Sequence, residues 1–154
     1  MARRRRYHLP GATYHVMLRG NGGERIFFQD EDRCRMCFLI QEGVERYGHR
    51  LLGYCFMTNH LHLAIQVGQI SLSRIMQNLA FRYARYVNRH QQRIGHLFQG
   101  RFKSILIDSD RYQKELIRYI HLNPIRAGMV GYPEDYKWSS HNIPWNGSCI
   151  VDQQ

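Results

Sequence analysis

LLGYCFM (Leu51–Met57), TN (Thr58–Asn59) and HLHLAIQV (His60–Val67) follow one another in the chain, and their reading decides the fold. The first segment is apolar and aromatic and of strand length. Thr58-Asn59 supplies a turn or bulge. The second segment alternates without a break, placing Leu61, Leu63, Ile65 and Val67 on one face and His60, His62, Ala64 and Gln66 on the other. One face belongs to a core. The other carries two imidazoles side by side on an open sheet face.

The flanks complete a pattern. Ala12 to Leu18 is β-branched and aromatic and predicts a first strand, and Arg19-Gly20-Asn21-Gly22-Gly23 predicts a mobile loop. Asp30, Glu31 and Asp32 suit the positive start of a helix whose apolar positions Cys37, Ile40, Val44 and Tyr47 recur at helical spacing, with Gly48 to end it. After the paired strands, Ser71 is an N-cap for a second helix. Its buried stripe is Leu72, Ile75, Met76, Leu79, Tyr83 and Tyr86; Arg74, Arg82, Arg85 and Arg89 form a separate basic stripe. A fourth strand is clearest over Phe102 to Ile107. Asp108, Ser109 and Asp110 then offer caps for a third helix reaching about Leu122, which Asn123-Pro124 should stop. The order β-α-β-β-α-β plus a helix predicts an α+β fold: a ferredoxin-like or RRM-like split βαβ sandwich with a central antiparallel sheet and an extra C-terminal helix. Residues 1–154 read as one domain, with 1–11 a basic arm and about 129–154 an irregular tail.

Lysine and arginine number 22 against 12 acidic residues, a formal charge of +10, which calls for a polyanionic partner. Arginine supplies most of it, since lysine occurs only at Lys103, Lys114 and Lys137; the planar guanidinium suits phosphate. No apolar h-region follows Arg3 to Arg6 and no apolar run is long enough to span a bilayer, so the expected location is cytoplasmic, away from membranes. Cys34-x-x-Cys37 has neither a second such pair nor a His-x-x-x-His partner and reads as two core positions of a helix.

Two imidazoles two apart on a strand can reach one divalent ion, although a bare His-x-His fits two ordinary surface histidines as well. A metal held by neutral histidines in a basic protein suits phosphoryl chemistry. The sequence shows no Ser-His-Asp pattern, no Walker loop and no spaced acidic pair; it has 10 tyrosines, and a phenolate near a metal is a competent nucleophile. Helical candidates are Tyr83, Tyr86, Tyr112 and Tyr119, the first two on an apolar stripe. Tyr112, Leu116, Tyr119 and Asn123 share a face of the third helix, with Tyr119 and Asn123 one turn apart. Spacing alone equally allows Tyr119 as a buried aromatic and Asn123 as a cap.

Longer stretches carry more. Tyr14-His15-Val16 with Arg19-Gly20-Asn21, Met57-Thr58-Asn59-His60-Leu61-His62, Gly95-His96-Leu97-Phe98-Gln99-Gly100-Arg101-Phe102-Lys103-Ser104, Tyr119-Ile120-His121-Leu122-Asn123-Pro124-Ile125-Arg126-Ala127-Gly128 and Trp138-Ser139-Ser140 together span most of the chain. With them the sequence resembles the REP-associated tyrosine transposases, a branch of the IS200-like, single-tyrosine HUH transposases. The resemblance implies that His60 and His62 bind a divalent ion, usually magnesium or manganese. It implies that Tyr119 is the nucleophile and that Asn123 completes the metal site. It further implies cutting and rejoining of single-stranded DNA beside a REP-type hairpin through a 5′-phosphotyrosine, by a monomer. Arg3, Arg4, Arg5, Arg6, Arg74, Arg82, Arg85, Arg89, Arg101 and Lys103 could then track the DNA backbone, and His15 and Arg19 could reach bases. The alternatives are a non-catalytic RRM-like nucleic-acid-binding module and a metal-dependent RNA endonuclease.

Overall fold

The computed structural model describes residues 8–142. Arg3 to Arg6 therefore lie outside the described residues, as do Trp145 and Cys149. The elements are β1 (Thr13–Arg19), α1 (Asp30–Tyr47), β2 (Arg50–Phe56), β3 (His60–Gln66), α2 (Leu72–His90), β4 (Lys103–Ile107) and α3 (Asp110–Arg126), with single 3₁₀ turns at Asn21–Gly23 and Pro133–Asp135. The sheet order is β2-β3-β1-β4 and every neighbouring pair is antiparallel, which is the split βαβ sandwich.

The alternation in β3 sorts the layers. Leu61, Leu63 and Ile65 join Val16 and Leu18 of β1 in a core closed by Met36, Leu39 and Ile40 of α1 and Ile75, Met76, Leu79 and Tyr83 of α2. Helix α1 starts on a capping box in which Asp32, itself buried, accepts from the backbone of Gln29 and Phe28; Gly48 ends it. Helix α2 starts at Ser71, whose side chain accepts from the Arg74 amide at 3.2 Å. Along α2 the buried stripe continues to Val87, while Tyr86 is only half-buried and donates its hydroxyl to Asp32 at 3.0 Å. The sequence expectation had Tyr86 in that stripe. The phenol moves outward because its oxygen needs a partner, and the aliphatic Val87 fills the space instead.

Three further expectations change. The face carrying His60 and His62 is not open, because α3 lies across it and leaves His62 only 2% exposed. The segment Arg19–Gly23 is no loose loop. Gly20 donates to Asn59 O at 2.8 Å and Asn21 to Leu97 O at 2.9 Å, and a Cβ on Gly20 would meet Glu24 O at 1.9 Å, so only glycine fits there. Helix α3 does not stop at Asn123-Pro124 but runs to Arg126. Proline's fixed φ is itself helical; the buried Pro124 lacks the N–H that would bond Ile120 O, so the helix loses one bond near its end without being stopped there. The stop is Gly128, at φ 73, where Gly128 N bonds Ile125 O and Met129 N bonds Pro124 O, a Schellman ending.

The tail after α3 is irregular in backbone, yet it is anchored. Phe56 N donates to Trp138 O and Ser140 N to Tyr54 O, so residues 138–140 line the outer edge of β2. Ser140 Oγ also accepts from Tyr54 N, and the Tyr136 hydroxyl donates to Phe56 O. Among the described residues no helix is long and apolar enough to cross a membrane.

His49 sits between α1 and the sheet, 4% exposed, with Nδ1 lacking a hydrogen-bond partner. Burial holds its pKa down at about 4, against an ordinary 6.5. The unfolded chain takes up a proton that the folded chain refuses, so the contribution is complete above pH 6.5 and lost as pH falls towards 4. Equilibrium urea unfolding should show stability dropping over this window, by up to about 1.4 kcal/mol per pH unit for this one group. His49→Gln should flatten that dependence; an unchanged slope would show that His49 is not a contributor.

Candidate active site

His60 and His62 project together from β3, ring centroids 5.0 Å apart. Each ring is held from its Nδ1 side. His60 Nδ1 lies 2.7 Å from Asn59 Oδ1, a carbonyl oxygen that can only accept, so Nδ1 carries the proton and Nε2 keeps its lone pair. His62 Nδ1 lies 2.9 Å from His15 Nε2, and His62 Nε2 is buried with no hydrogen-bond partner. If His62 Nδ1 donates to His15, the bare atom is again a lone pair. Burial, then the neighbouring His60 and His15 rings and Arg19, hold the His62 pKa down at about 3. Burial also lowers His15, and burial with Arg19 lowers His60. All three rings are therefore neutral near pH 7, as metal ligation requires.

Helix α3 brings Tyr119 to the same place. Its ring meets His15 edge-on at 5.9 Å and His62 edge-on at 6.2 Å, and it stays 40% exposed. The Arg126 guanidinium lies 4.2 Å from the ring centre on its face. The other tyrosines considered do not share this setting. The Tyr83 hydroxyl is buried and bonded to Ile26 O at 2.6 Å, and burial raises its pKa above the ordinary range. Burial and Asp32 push Tyr86 up to about 12. Tyr112 is 54% exposed, in the first turn of α3.

Asn123 lies one turn beyond Tyr119, and its Nδ2 donates to the Tyr119 carbonyl at 3.3 Å. Among the described residues no hydrogen bond ties it to His60 or His62, and no group of three or more His, Cys, Asp or Glu forms a ready cage. What exists is a pair of imidazoles beneath α3 whose Nε2 atoms have no protein hydrogen-bond partner among those described. A divalent ion that keeps waters or takes phosphate oxygens fits such a pair.

The comparisons with known proteins bear on this geometry. The family model described as "Transposase IS200 like" matches residues 8–123, most of the chain. The chain belongs to the IS200-like transposase family. In fold this transposase is similar to a REP-associated tyrosine transposase solved bound to a REP hairpin, with TM-score 0.77 and 18% identity, covering 97% of this chain and 93% of that one. It is also similar to a candidate transposase from Deinococcus radiodurans R1, with TM-score 0.51 and 16% identity, covering 78% of this chain and 94% of that one. No curated protein matches it. Family membership places the chain among enzymes that cut and join DNA.

The basic residues of this transposase divide between two sides of the sheet. Arg19 ends β1 opposite His60, and Lys103 begins β4 on the same sheet. His15 lies against His62, at 2.9 Å from its Nδ1. Arg82, Arg85 and Arg89 line a groove with Arg35 on the α1–α2 layer, across the sheet from the histidines. Arg82 is paired there with Glu42 at 2.8 Å, and Arg85 lies over the exposed Phe81 ring. Arg74 lies over Tyr47, and Arg101 is exposed ahead of β4. Sequence reading missed Arg126, seven residues after Tyr119 and so on its helix face, because the helix was expected to end first. It also left Asn59 in a turn without a partner.

Nitrogen-detected NMR over a pH titration checks the histidine arrangement. His62 should stay neutral above about pH 4 and carry its proton on Nδ1. A midpoint near the ordinary 6.5, or a proton on Nε2, would contradict it.

Proposed function

We propose that this transposase cleaves and rejoins single-stranded DNA beside a hairpin, with Tyr119 as nucleophile and His60 and His62 as the ligands of a divalent ion, Mg²⁺ or Mn²⁺. The observation that carries the reading is the Tyr119 ring packed edge-on against His62, whose Nε2 is buried and unclaimed. The Tyr119 oxygen gives up its proton and bonds to phosphorus while the bond from phosphorus to the 3′ oxygen breaks and that oxygen takes up a proton, leaving a 5′-phosphotyrosine and a free 3′-OH. Rejoining reverses these two bonds and needs no nucleotide cofactor. The metal, when bound, offsets charge on the phosphoryl oxygens. Asn59 and His15 each lie against the Nδ1 of one imidazole, which leaves the Nε2 atoms as the ones that would hold an ion. Arg126 lies over the phenol ring, where it offers a cation to the phosphate that Tyr119 acquires. Asn123 would add its Oδ1 to the ion's donors, since its contact with the Tyr119 carbonyl uses only Nδ2.

The DNA partner is supported by the +10 charge and by the hairpin named for the similar solved transposase. Arg19, Arg101 and Lys103 serve the strand at the histidine side, and Arg74, Arg82, Arg85 and Arg89 serve the more distant duplex; Arg3 to Arg6 add to the same field. Because Tyr119 and His62 meet within one chain, a monomer suffices for the chemistry. A non-catalytic RRM-like module is disfavoured, since α3 covers the sheet face on which such a module stacks bases.

Incubation with a hairpin oligonucleotide bearing single-stranded tails and Mn²⁺, followed by mass spectrometry, should find one nucleotide adduct, on Tyr119. Tyr119→Phe should bind DNA normally and give no adduct. His60→Ala should fold normally and lose about 100-fold or more in rate. An adduct on Tyr112, Tyr83 or Tyr86, or wild-type cleavage by His60→Ala, would sink the assignment.

A further inference from the structure

Edge strand β4 and helix α3 flank an open groove of about 730 Å³ whose lining includes both Tyr119 and His15. Its walls are apolar and unusually bare. Ile105 is 62% exposed and Tyr112 54%, while Ile107 on the strand and Leu116 and Leu122 on the helix line it as well. Single exposed apolar residues are ordinary, but a contiguous set lining a concave surface marks a binding site. The rim has charge of one useful sign near the chemistry: Arg118 and Arg126 line the groove, and Arg126 sits directly over Tyr119. The carboxylates of Asp108 and Glu115 line it as well, and a carboxylate can accept from an exocyclic amino group.

We infer that this groove holds an unstacked nucleobase of the single strand, immediately beside the phosphate presented to Tyr119. The inference rests on the proposed strand cleavage and adds what grips the substrate next to the cut. Apolar walls with one free aromatic ring match a base, which offers a π-face whatever its sequence. A cationic rim at the Tyr119 end matches the phosphate attached to that base. Continuity decides the occupant, because Tyr119 lines the groove and also touches His15 and His62, so a strand with its phosphate at Tyr119 must place a neighbouring nucleotide here. Tyr112 is then a substrate-positioning residue and not a nucleophile.

The test uses the full chain in EDTA, so that no metal or turnover is required. The probe is a DNA hairpin with single-stranded tails carrying 2-aminopurine at one tail position at a time. One position should be quenched on binding, and Tyr112→Ala should remove that quench and weaken binding about tenfold. Tyr112 is exposed, so the variant should fold; Ile105→Ala, also at an exposed site, serves as a second probe and should weaken binding in the same direction. With an abasic site at the quenched position, the effect of Tyr112→Ala on binding should vanish. Wild-type protein with Mn²⁺ and the same DNA should form the adduct on Tyr119. If the wild type forms that adduct but no tail position responds to Tyr112→Ala, the groove proposal fails and the proposed function stands. If the tail signal depends on Tyr112 and no adduct forms on any tyrosine, the cleavage reading fails and the groove stands. A groove that instead joins two copies of the chain would show as a dimer in sedimentation that Tyr112→Ala or Ile105→Ala dissociates, which would overturn the proposal.

Discussion

Side chains two apart on a strand share a face, so β3 must send Leu61, Leu63 and Ile65 to one side and His60 and His62 to the other. Both sides are covered. The aliphatic side meets α1 and α2, and the histidine side meets α3. A central strand buried on both faces cannot slip by one residue without driving imidazoles into the aliphatic core, so the register that fixes the core also fixes the histidines. Strand β1 is locked to β3 by the same ladder, with Met17 opposite His62 and Arg19 opposite His60. That register carries His15 to hydrogen-bonding distance of His62.

Covering the histidines has a cost. A buried polar atom without a partner loses about 1–3 kcal/mol of solvation. His62 Nε2 is such an atom, and a fold selected for stability alone would have bonded it or replaced it with carbon. Burial also keeps the imidazoles neutral, which preserves their lone pairs in a strongly basic protein. The cost and the chemistry therefore share one cause. The opposite side of the molecule shows the contrast: Asp32 is equally buried but bonded, to two backbone amides that start α1 and to the Tyr86 hydroxyl of α2.

The alternation of β3, the two amphipathic helices and the split βαβ order were legible because each rests on a local period. So was the nearness of His60 to His62. What was not legible depended on the register or on a contest between local signals. Nothing in Tyr14-His15-Val16 says that His15 reaches His62, since this needs the pairing of two strands distant in sequence. Pro124 outweighed Gly128 as the expected helix stop, and ending α3 too early hid Arg126 from the face of Tyr119. Tyr86 fits the helical stripe by spacing, yet a phenol seeks a hydrogen bond, which only the tertiary position of Asp32 could reveal. Residues 138–140 line the β2 edge through backbone bonds, which leave little trace in side-chain pattern.

The two-sided distribution of basic residues suggests a division of labour: chemistry beneath α3, and broader electrostatic hold on the α1–α2 layer. Its centre is the pair of imidazoles, ring centroids 5.0 Å apart, beside Tyr119. Anomalous diffraction from crystals of the full chain soaked in Mn²⁺ tests that centre most directly. The account predicts one strong peak bonded by Nε2 of His60 and Nε2 of His62 and adjacent to the Tyr119 hydroxyl. A peak elsewhere with that position empty, or His62 Nε2 found hydrogen-bonded to a protein group, would contradict it.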